Sequence, residues 1–188
     1  MTSATELRWL LVVPKVPAQP SRHRVAVWRE LRRAGAVPAA AGVWTLPDLP
    51  AFTDHLPTVR ELVERGGGAM TVLVAAPYGS DDLGLLRDAF EAVRRDEWAE
   101  LVRDCGKLSA EIAKEIAQQK LTFGELEEEE QSLERLRRWH RDLLRRDALG
   151  LPEATDATAR LAAVAEELAG YAELVFAANL PSDDLTDD

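Results

Sequence analysis

The chain has 188 residues, enough for one large domain or for a compact domain with a helical extension. A hydrophobic content of 46% excludes wholesale disorder, and the longest apolar runs are far short of the ~20 residues that span a bilayer. No basic region followed by an apolar stretch opens the chain, and a single cysteine, Cys105, excludes an intrachain disulfide. We therefore expect a cytoplasmic protein that does not bind a membrane.

The net charge of −10 is unevenly distributed along the chain. Residues 1–47 hold seven Arg or Lys against two Glu, a net of +5, so residues 48–188 carry −15. An acidic chain does not bind nucleic acid through its overall charge, because phosphate neutralisation needs clustered Lys and Arg. Any anion site is therefore expected in the first quarter of the chain.

The first half alternates extended and helical patterns. Apolar β-branched runs predict strands, and amphipathic segments bounded by Pro, Ser and Gly predict helices. The elements are, in chain order, a strand at 8–16, a helix at 21–35, strands at 36–41 and 42–46, a helix at 52–65 and a strand at 69–76. The order β-α-β-β-α-β predicts an α+β, ferredoxin-like antiparallel sheet with two helices on one face. The first and last strands are expected side by side in its middle, because they are the most apolar.

The second half is predicted to be helical. A long helix is expected from Asp81 or Asp82 to Gln118, with Gly106 as a possible bend or break. Thr122 and Glu125 form a capping box for a second helix, and a third covers about 156–178. We therefore predict a ferredoxin-like domain at 1–80, a helical extension packed on it at 81–178, and a disordered acidic tail at 179–188.

The helix predicted at 21–35 is rich in arginine. Its buried face is predicted to hold Val27, Trp28, Leu31 and Ala34. The opposite face holds a row about 16 Å long that can follow two or three backbone phosphates; it consists of Arg22, Arg29 and Arg33, with Arg32 beside them. The same row also fits a solvated helix face. Arg24 falls on the buried side of the first turn, where its charge needs either a bound anion or an acidic side chain.

The acidic run Glu125–Glu130 is the second candidate. Glu129 or Glu130 is predicted close to the buried seam, where a carboxylate either coordinates a cation or pairs with an arginine. The Glu-x-x-His spacing of helical metal sites does not occur here. Pairing within the structure is therefore the expected role.

The remaining reactive residue types form no recognisable active site. The histidines, His23, His55 and His140, are scattered, and His140 lies on the apolar stripe of its helix as a core or rim residue. Cys105 lies on an apolar helical face and is expected to be inert. The glycines at 66–68 precede a strand and lack a phosphate-loop lysine. The sequence thus predicts no catalytic residue, no metal site and no cofactor.

Two stretches resemble a known family. The segments LRWLLVVPKVPAQPSRHRVAVWRELRRAGAVPAAAGVWTLPD and KLTFGELEEEEQSLERLRRWHRDLLRRDALGLP are similar to the N-terminal domain of ChrB-type chromate resistance proteins. The likeness covers roughly residues 7–178. The arginine-rich helix followed by a GVW-type strand also resembles the ferredoxin-like module of PaaX-type repressors, more distantly. Longer ChrB-type proteins carry a second, C-terminal domain.

The resemblance implies a cytoplasmic chromate-resistance regulator that binds promoter DNA and responds to the chromate oxyanion. The phosphate contacts would be Arg22, Arg29, Arg32 and Arg33, and the oxyanion ligands Lys15 and Arg24. We expect a homodimer, because a two-fold axis can place two +5 surfaces on one face. Two alternatives stay open: a metal-dependent nuclease or hydrolase using Asp48 or Asp54 with the glutamate cluster, and an interaction domain that binds a protein partner.

Overall fold

The computed structural model describes residues 7–76 and 78–180. They form an α+β protein with a four-stranded antiparallel sheet and six helices, which confirms the predicted class. The chain divides into two compact units, with the boundary between Arg94 and Arg95. The predicted domain bounds at 1–80 and 81–178 stay a prediction.

The first unit contains the sheet. Each of its strands begins and ends within a residue or two of the predicted bounds. Its elements are β1 (Trp9–Lys15), α1 (Ser21–Arg33), β2 (Val37–Ala40), β3 (Val43–Pro47), α2 (Pro50–Thr53), α3 (Leu56–Arg65), β4 (Ala69–Ala75) and the start of α4 (Ser80–Ala117).

The single helix predicted at 52–65 is two helices. Helix α2 ends at Thr53, Asp54 and His55 form a turn, and α3 begins at Leu56. Pro57 lies at the start of α3. Proline has no N–H to donate and its ring clashes with the carbonyl four residues earlier, so one continuous helix cannot pass this point without a kink.

The sheet order is β2-β3-β1-β4, with antiparallel neighbours throughout. Strand β1 is central: Val12 pairs with Trp44 of β3 and with Val72 of β4. The prediction that the first and last strands are neighbours is confirmed. The prediction that both lie in the middle is wrong for β4, which pairs with β1 on one side and forms an edge of the sheet.

The core of the first unit joins the sheet to its helices. Buried residues come from β1, α1, β3, α2, α3 and β4; they include Leu10, Val12, Val27, Leu31, Leu46, Phe52, Val59, Val63 and Met70. Phe90 of α4 packs edge-to-face on Trp9 and Phe52, with ring centroids 5.3 and 5.8 Å apart. The strands and helices of this unit are therefore held by one apolar cluster.

Two predictions about α1 are wrong. Val27, Leu31 and Ala34 are buried as expected, but Trp28 is 51% exposed. Arg24 is also exposed. Arg24 and Trp28 are one turn apart on the helix and line an open groove beside the sheet, so the buried stripe of α1 is narrower than the predicted one.

The second unit is helical. It contains the remainder of α4, α5 (Phe123–Arg146) and α6 (Glu153–Asn179), and α4 runs through Gly106 without a break. The predicted N-cap is present, because the Thr122 hydroxyl accepts a hydrogen bond from the Glu125 N–H at 3.3 Å. The apolar core includes Trp98, Leu101, Cys105, Ile112, Leu133, Leu136, Val164, Leu168 and Tyr171.

The end of α6 is fixed to the loop between α4 and α5. The Tyr171 hydroxyl donates to the Lys120 carbonyl, and the Asn179 amide donates to the Leu121 carbonyl, both at 2.6 Å. Of the tail predicted at 179–188, residues 181–188 lie outside the described residues. None of the helices in the described ranges has the length and apolar character needed to cross a membrane.

Candidate anion-binding surface

Helix α1 carries two lines of arginine. Arg24 and Arg32 lie on either side of Trp28 at intervals of four residues, so the three side chains share one face of the helix. Arg22, Arg29 and Arg33 follow a second line on the solvent side. All five arginines are exposed, and α1 therefore presents a broad basic surface.

An open groove of about 250 Å³ lies beside the first line. Two tryptophans and Arg24 border it, and its lining consists of Pro14, Val16, Arg24, Val27, Trp28, Leu31, Gly42 and Trp44. The Arg32 guanidinium lies over the Trp28 ring, 5.9 Å from its centroid, within range of a cation–π interaction. The groove combines one cationic group with two aromatic surfaces, which suits a planar or anionic ligand.

Arg33 has an ion-pair partner within the first unit. Its guanidinium donates to the Glu30 carboxylate at 3.3 Å, and His55 Nδ1 lies 3.0 Å from the other carboxylate oxygen. Glu30 is 8% exposed. The contact between Glu30 and His55 therefore joins α1 to the residue before α3. Glu30 also neutralises part of the Arg33 charge.

Three arginines of this surface keep their charge uncompensated. Within the described ranges, no acidic side chain lies within 4.0 Å of Arg22, Arg24 or Arg29. The sequence left open whether Arg24 pairs with an acid or an anion, and the structure gives it no acidic partner in those ranges. An uncompensated cluster of guanidinium groups on one helix attracts phosphate or oxyanion ligands.

Lys15 is exposed at the end of β1 and does not line the groove that Arg24 borders. Of the two residues predicted to bind an oxyanion, Arg24 lines the groove and Lys15 does not; their joint role stays a prediction. The neighbouring residue, Val16, does line the groove.

The glycine triplet has a packing role that sequence reasoning did not identify. A Cβ atom on Gly68 would lie 2.2 Å from the Lys15 carbonyl oxygen, and one on Gly66 would lie 3.0 Å from the His23 Cβ. Gly67 adopts φ +72°. Close approach of this turn to the end of β1 and the start of α1 requires glycine, and it holds the first turn of the basic helix in place.

The acidic run on α5 belongs to the second unit. Glu129 is buried and Glu130 is exposed, so the inward carboxylate is Glu129. Desolvation raises the pKa of Glu129, and the nearby carboxylates raise it further; these are Glu111, Glu115, Glu128 and Glu125. Across the described part of the chain, Glu129 has no ion pair, so the expected arginine partner is absent there.

The same acidic region holds an ion pair between a buried glutamate and an exposed lysine. Glu115 is 1% exposed, and its Oε1 accepts from Lys120 Nζ at 3.3 Å, while Oε2 has no hydrogen-bond partner. Among the described residues, no three His, Cys, Asp or Glu side chains meet in an arrangement that can hold a metal ion. The lysine neutralises part of this cluster.

His140 and Cys105 are both buried, as their positions on apolar helical faces predict. His140 is buried, its Nε2 lies 2.8 Å from the Thr158 hydroxyl, and desolvation, with a smaller contribution from Arg141, lowers its pKa. Cys105 is fully buried, and burial raises the pKa of its thiol despite the opposing charge of Arg160. Both side chains are therefore placed as packing residues, and the inertness of Cys105 stays a prediction.

Two members of the basic surface escaped sequence analysis. Trp44 was assigned only to a strand, although the alternation along β3 places it on the same side as Leu46, facing α1. Glu30 entered the sequence analysis only as one of the two glutamates in the charge balance of residues 1–47. Its position three residues before Arg33 was the available signal for an ion pair.

The fold and the surface define an α+β protein in which a sheet unit presents a basic helix and a helical unit carries most of the acidic charge. The chain belongs to the family described as "Protein ChrB, N-terminal", whose model matches residues 24–182. It is also similar to Protein ChrB of Cupriavidus metallidurans strain CH34, at 34% identity over 59 residues. That match covers 31% of this chain and 18% of the relative. No solved structure matches the chain.

Proposed function

We propose that the chain is the N-terminal part of a non-enzymatic, cytoplasmic regulator of chromate resistance. In this proposal the basic surface of α1 binds promoter DNA, and binding responds to the chromate oxyanion. The family assignment and the uncompensated arginines on one helix support it.

The charge distribution carries the DNA-binding part of the proposal. Arg22, Arg29 and Arg32 would contact backbone phosphates, because their side chains are exposed on α1. Arg33 would contribute less, since Glu30 already neutralises part of its charge. Residues 48–188 carry a net charge of −15, so the overall charge of that part of the chain repels DNA.

The oxyanion part of the proposal centres on Arg24. A tetrahedral dianion would accept hydrogen bonds from its guanidinium at the border of the Trp28–Trp44 groove. Lys15 would act only at longer range, because it lies outside the groove lining.

We assign the sheet unit to the ferredoxin-like class on the basis of its strand order and its antiparallel pairing. The three helical segments that follow β4 would form the extension. A homodimer would bring two basic helices to one DNA duplex, which compensates for the overall charge of −10 on each chain.

No specific observation favours the hydrolase alternative. Asp48, one of its proposed residues, is paired with Arg8 at 2.7 Å. Asp54 lies in the turn between α2 and α3, in the first unit, whereas the glutamate cluster lies in the second.

A titration of promoter DNA tests the proposal. A fluorescent duplex from the promoter of the chain's own gene is titrated with protein, with no added oxyanion, with chromate and with sulfate. We expect binding that chromate changes more than sulfate does at equal concentration. Equal effects of the two dianions would reduce the sensing part to general anion binding, and no binding in any condition would refute the DNA part.

A further inference from the structure

The outer edge of β4 has few of the features that usually protect a sheet edge, apart from Arg60 of α3 at one end. No charged residue occurs between Arg65 and Asp81, although 30% of the chain is charged. Leu73 is 51% and Val74 is 64% exposed, and they point to opposite faces of the sheet. Natural edge strands are commonly blocked by lysine, proline or a bulge, whereas β4 pairs regularly along all seven residues of β1.

The backbone groups of β4 that face outward follow from its pairing. Met70 lies opposite Pro14, which has no N–H to donate, so this is a non-hydrogen-bonded position of the β1–β4 pair. The N–H and C=O groups of Met70, Val72 and Val74 therefore face the outer edge. In agreement, the Met70 carbonyl accepts a hydrogen bond from the Arg60 guanidinium at 3.0 Å.

We propose that the outer edge of β4 pairs with the same edge of a second copy of this chain, antiparallel and centred on Val72. A two-fold axis at Val72 places each Met70 opposite the other copy's Val74 and each Thr71 opposite its Leu73. The three outward-facing positions then form about six main-chain hydrogen bonds between copies. Two of them are accepted by the Met70 carbonyls, each of which also accepts from Arg60 with its second lone pair. The result is a continuous sheet through both copies, and it holds whether or not DNA is the ligand.

The charges beside β4 suit a second copy. Arg60, Glu61 and Glu64 of α3 line the groove that contains Val72. Neither glutamate has an ion-pair partner in the described part of the chain. A two-fold axis at Val72 places the two copies of α3 side by side and antiparallel at the interface. Glu61 and Glu64 of one copy then approach Arg60 of the other.

The test is the mass in solution of three proteins, measured by light scattering at about 50 μM, a concentration at which interfaces of micromolar affinity are populated. We expect the wild type at twice 20.8 kDa, and Leu73→Lys at the monomer mass because it adds a charge to the pairing edge. Leu85→Lys is the control, since it makes the same change at an exposed leucine outside β4 and should leave the dimer intact. A monomeric wild type, or a dimeric Leu73→Lys, would overturn the proposal.

The register has its own test. Thr71→Glu alone should also be monomeric, whereas an equimolar mixture of Thr71→Glu and Leu73→Lys chains should form a heterodimer, because positions 71 and 73 face each other across the axis. This restoration separates a specific pairing from a general loss of folding. Two single variants that are monomeric, folded by circular dichroism and unable to associate when mixed would contradict the register.

A cysteine at the axis gives a readout that does not depend on charge. Val72→Cys should cross-link to itself on mild oxidation, since Cα atoms in a hydrogen-bonded antiparallel pair are about 5.5 Å apart, within disulfide range. Cys105 is fully buried and does not compete. An Ala113→Cys control, exposed on α4, should give little cross-linked product, and equal cross-linking of both variants would contradict the pairing.

Discussion

His55 Nδ1 lies 3.0 Å from the Oε1 atom of Glu30, while the Oε2 atom of the same carboxylate accepts from Arg33 at 3.3 Å. Two residues 25 positions apart thus join α1 to the α2–α3 turn. The contact fixes the side of α1 that faces away from solvent. Glu30, an acidic residue of α1, therefore fixes the orientation of the helix that carries the basic surface.

Glu30→Ala should lower the free energy of unfolding by about 1–3 kcal/mol, because hydrogen bonds to a mostly buried charged group are lost. Urea unfolding at neutral pH measures the change. Glu166→Ala is the control on α6, exposed and without an ion pair in the described ranges, and should change stability by less than about 0.5 kcal/mol. Equal effects of the two substitutions would show that the Glu30 contacts contribute nothing.

Trp28→Ala should have a small effect on stability, below about 1 kcal/mol, because the ring is half exposed and its identified ring contact is with Arg32. Leu31→Ala, one turn further along the buried stripe, should cost about 2–5 kcal/mol. Thermal unfolding of both variants provides the comparison. A loss for Trp28→Ala as large as that for Leu31→Ala would place the ring in the core after all.

The helical wheel could identify the buried centre of α1 but not its margin. Val27, Leu31 and Ala34 are buried, as the helical period predicts. Trp28 instead borders a groove, and the opposite wall of that groove includes Trp44 of strand β3. The position of this groove depends on where β3 lies beside α1, and the long-range pairing of β3 with β1 sets that position. Helical periodicity holds no information about it.

The apolar run of β4 was misleading for a related reason. An uncharged, β-branched segment indicates burial on both faces, and the sequence placed it in the middle of the sheet. In the structure β4 is an edge strand with Leu73 and Val74 exposed. The segment Pro50–Arg65 shows the opposite case, because Pro57 was visible in the sequence and accounts for the interruption between α2 and α3.

Glu129→Gln should stabilise the protein near pH 7. Desolvation and neighbouring carboxylates raise the pKa of Glu129 above its ordinary value of 4.5. A carboxyl with a raised pKa in the folded state destabilises that state once ionised, so its cost is absent below the ordinary value and is complete above the raised one. The stability gain from Glu129→Gln should therefore shrink as the pH falls towards 4.

Urea unfolding at several pH values follows this difference between variant and wild type. Glu130→Gln, an exposed neighbour on the same helix, is the matched control and should show little change at any pH. A gain from Glu129→Gln that is constant from pH 4 to pH 8 would mean that ionisation of this carboxyl does not oppose folding.

Cys105 should react slowly with thiol reagents in the native protein. The side chain is fully buried, and burial raises the pKa of its thiol, so both access and thiolate content are reduced. An exposed cysteine introduced by Ala113→Cys in a Cys105→Ala background should react roughly tenfold faster or more. Similar labelling rates before and after unfolding in urea would show that Cys105 is accessible.

The central claim is that the arginines of α1 bind DNA phosphates, and the salt dependence of affinity tests it most directly. The variant Arg22→Ala with Arg29→Ala is compared with Arg137→Ala with Arg138→Ala, which removes two exposed arginines of α5. For the α1 variant, the slope of log affinity against log salt concentration should flatten by about 1.8 per chain, while the α5 variant should keep the wild-type slope. An unchanged slope in a correctly folded α1 variant would contradict the account.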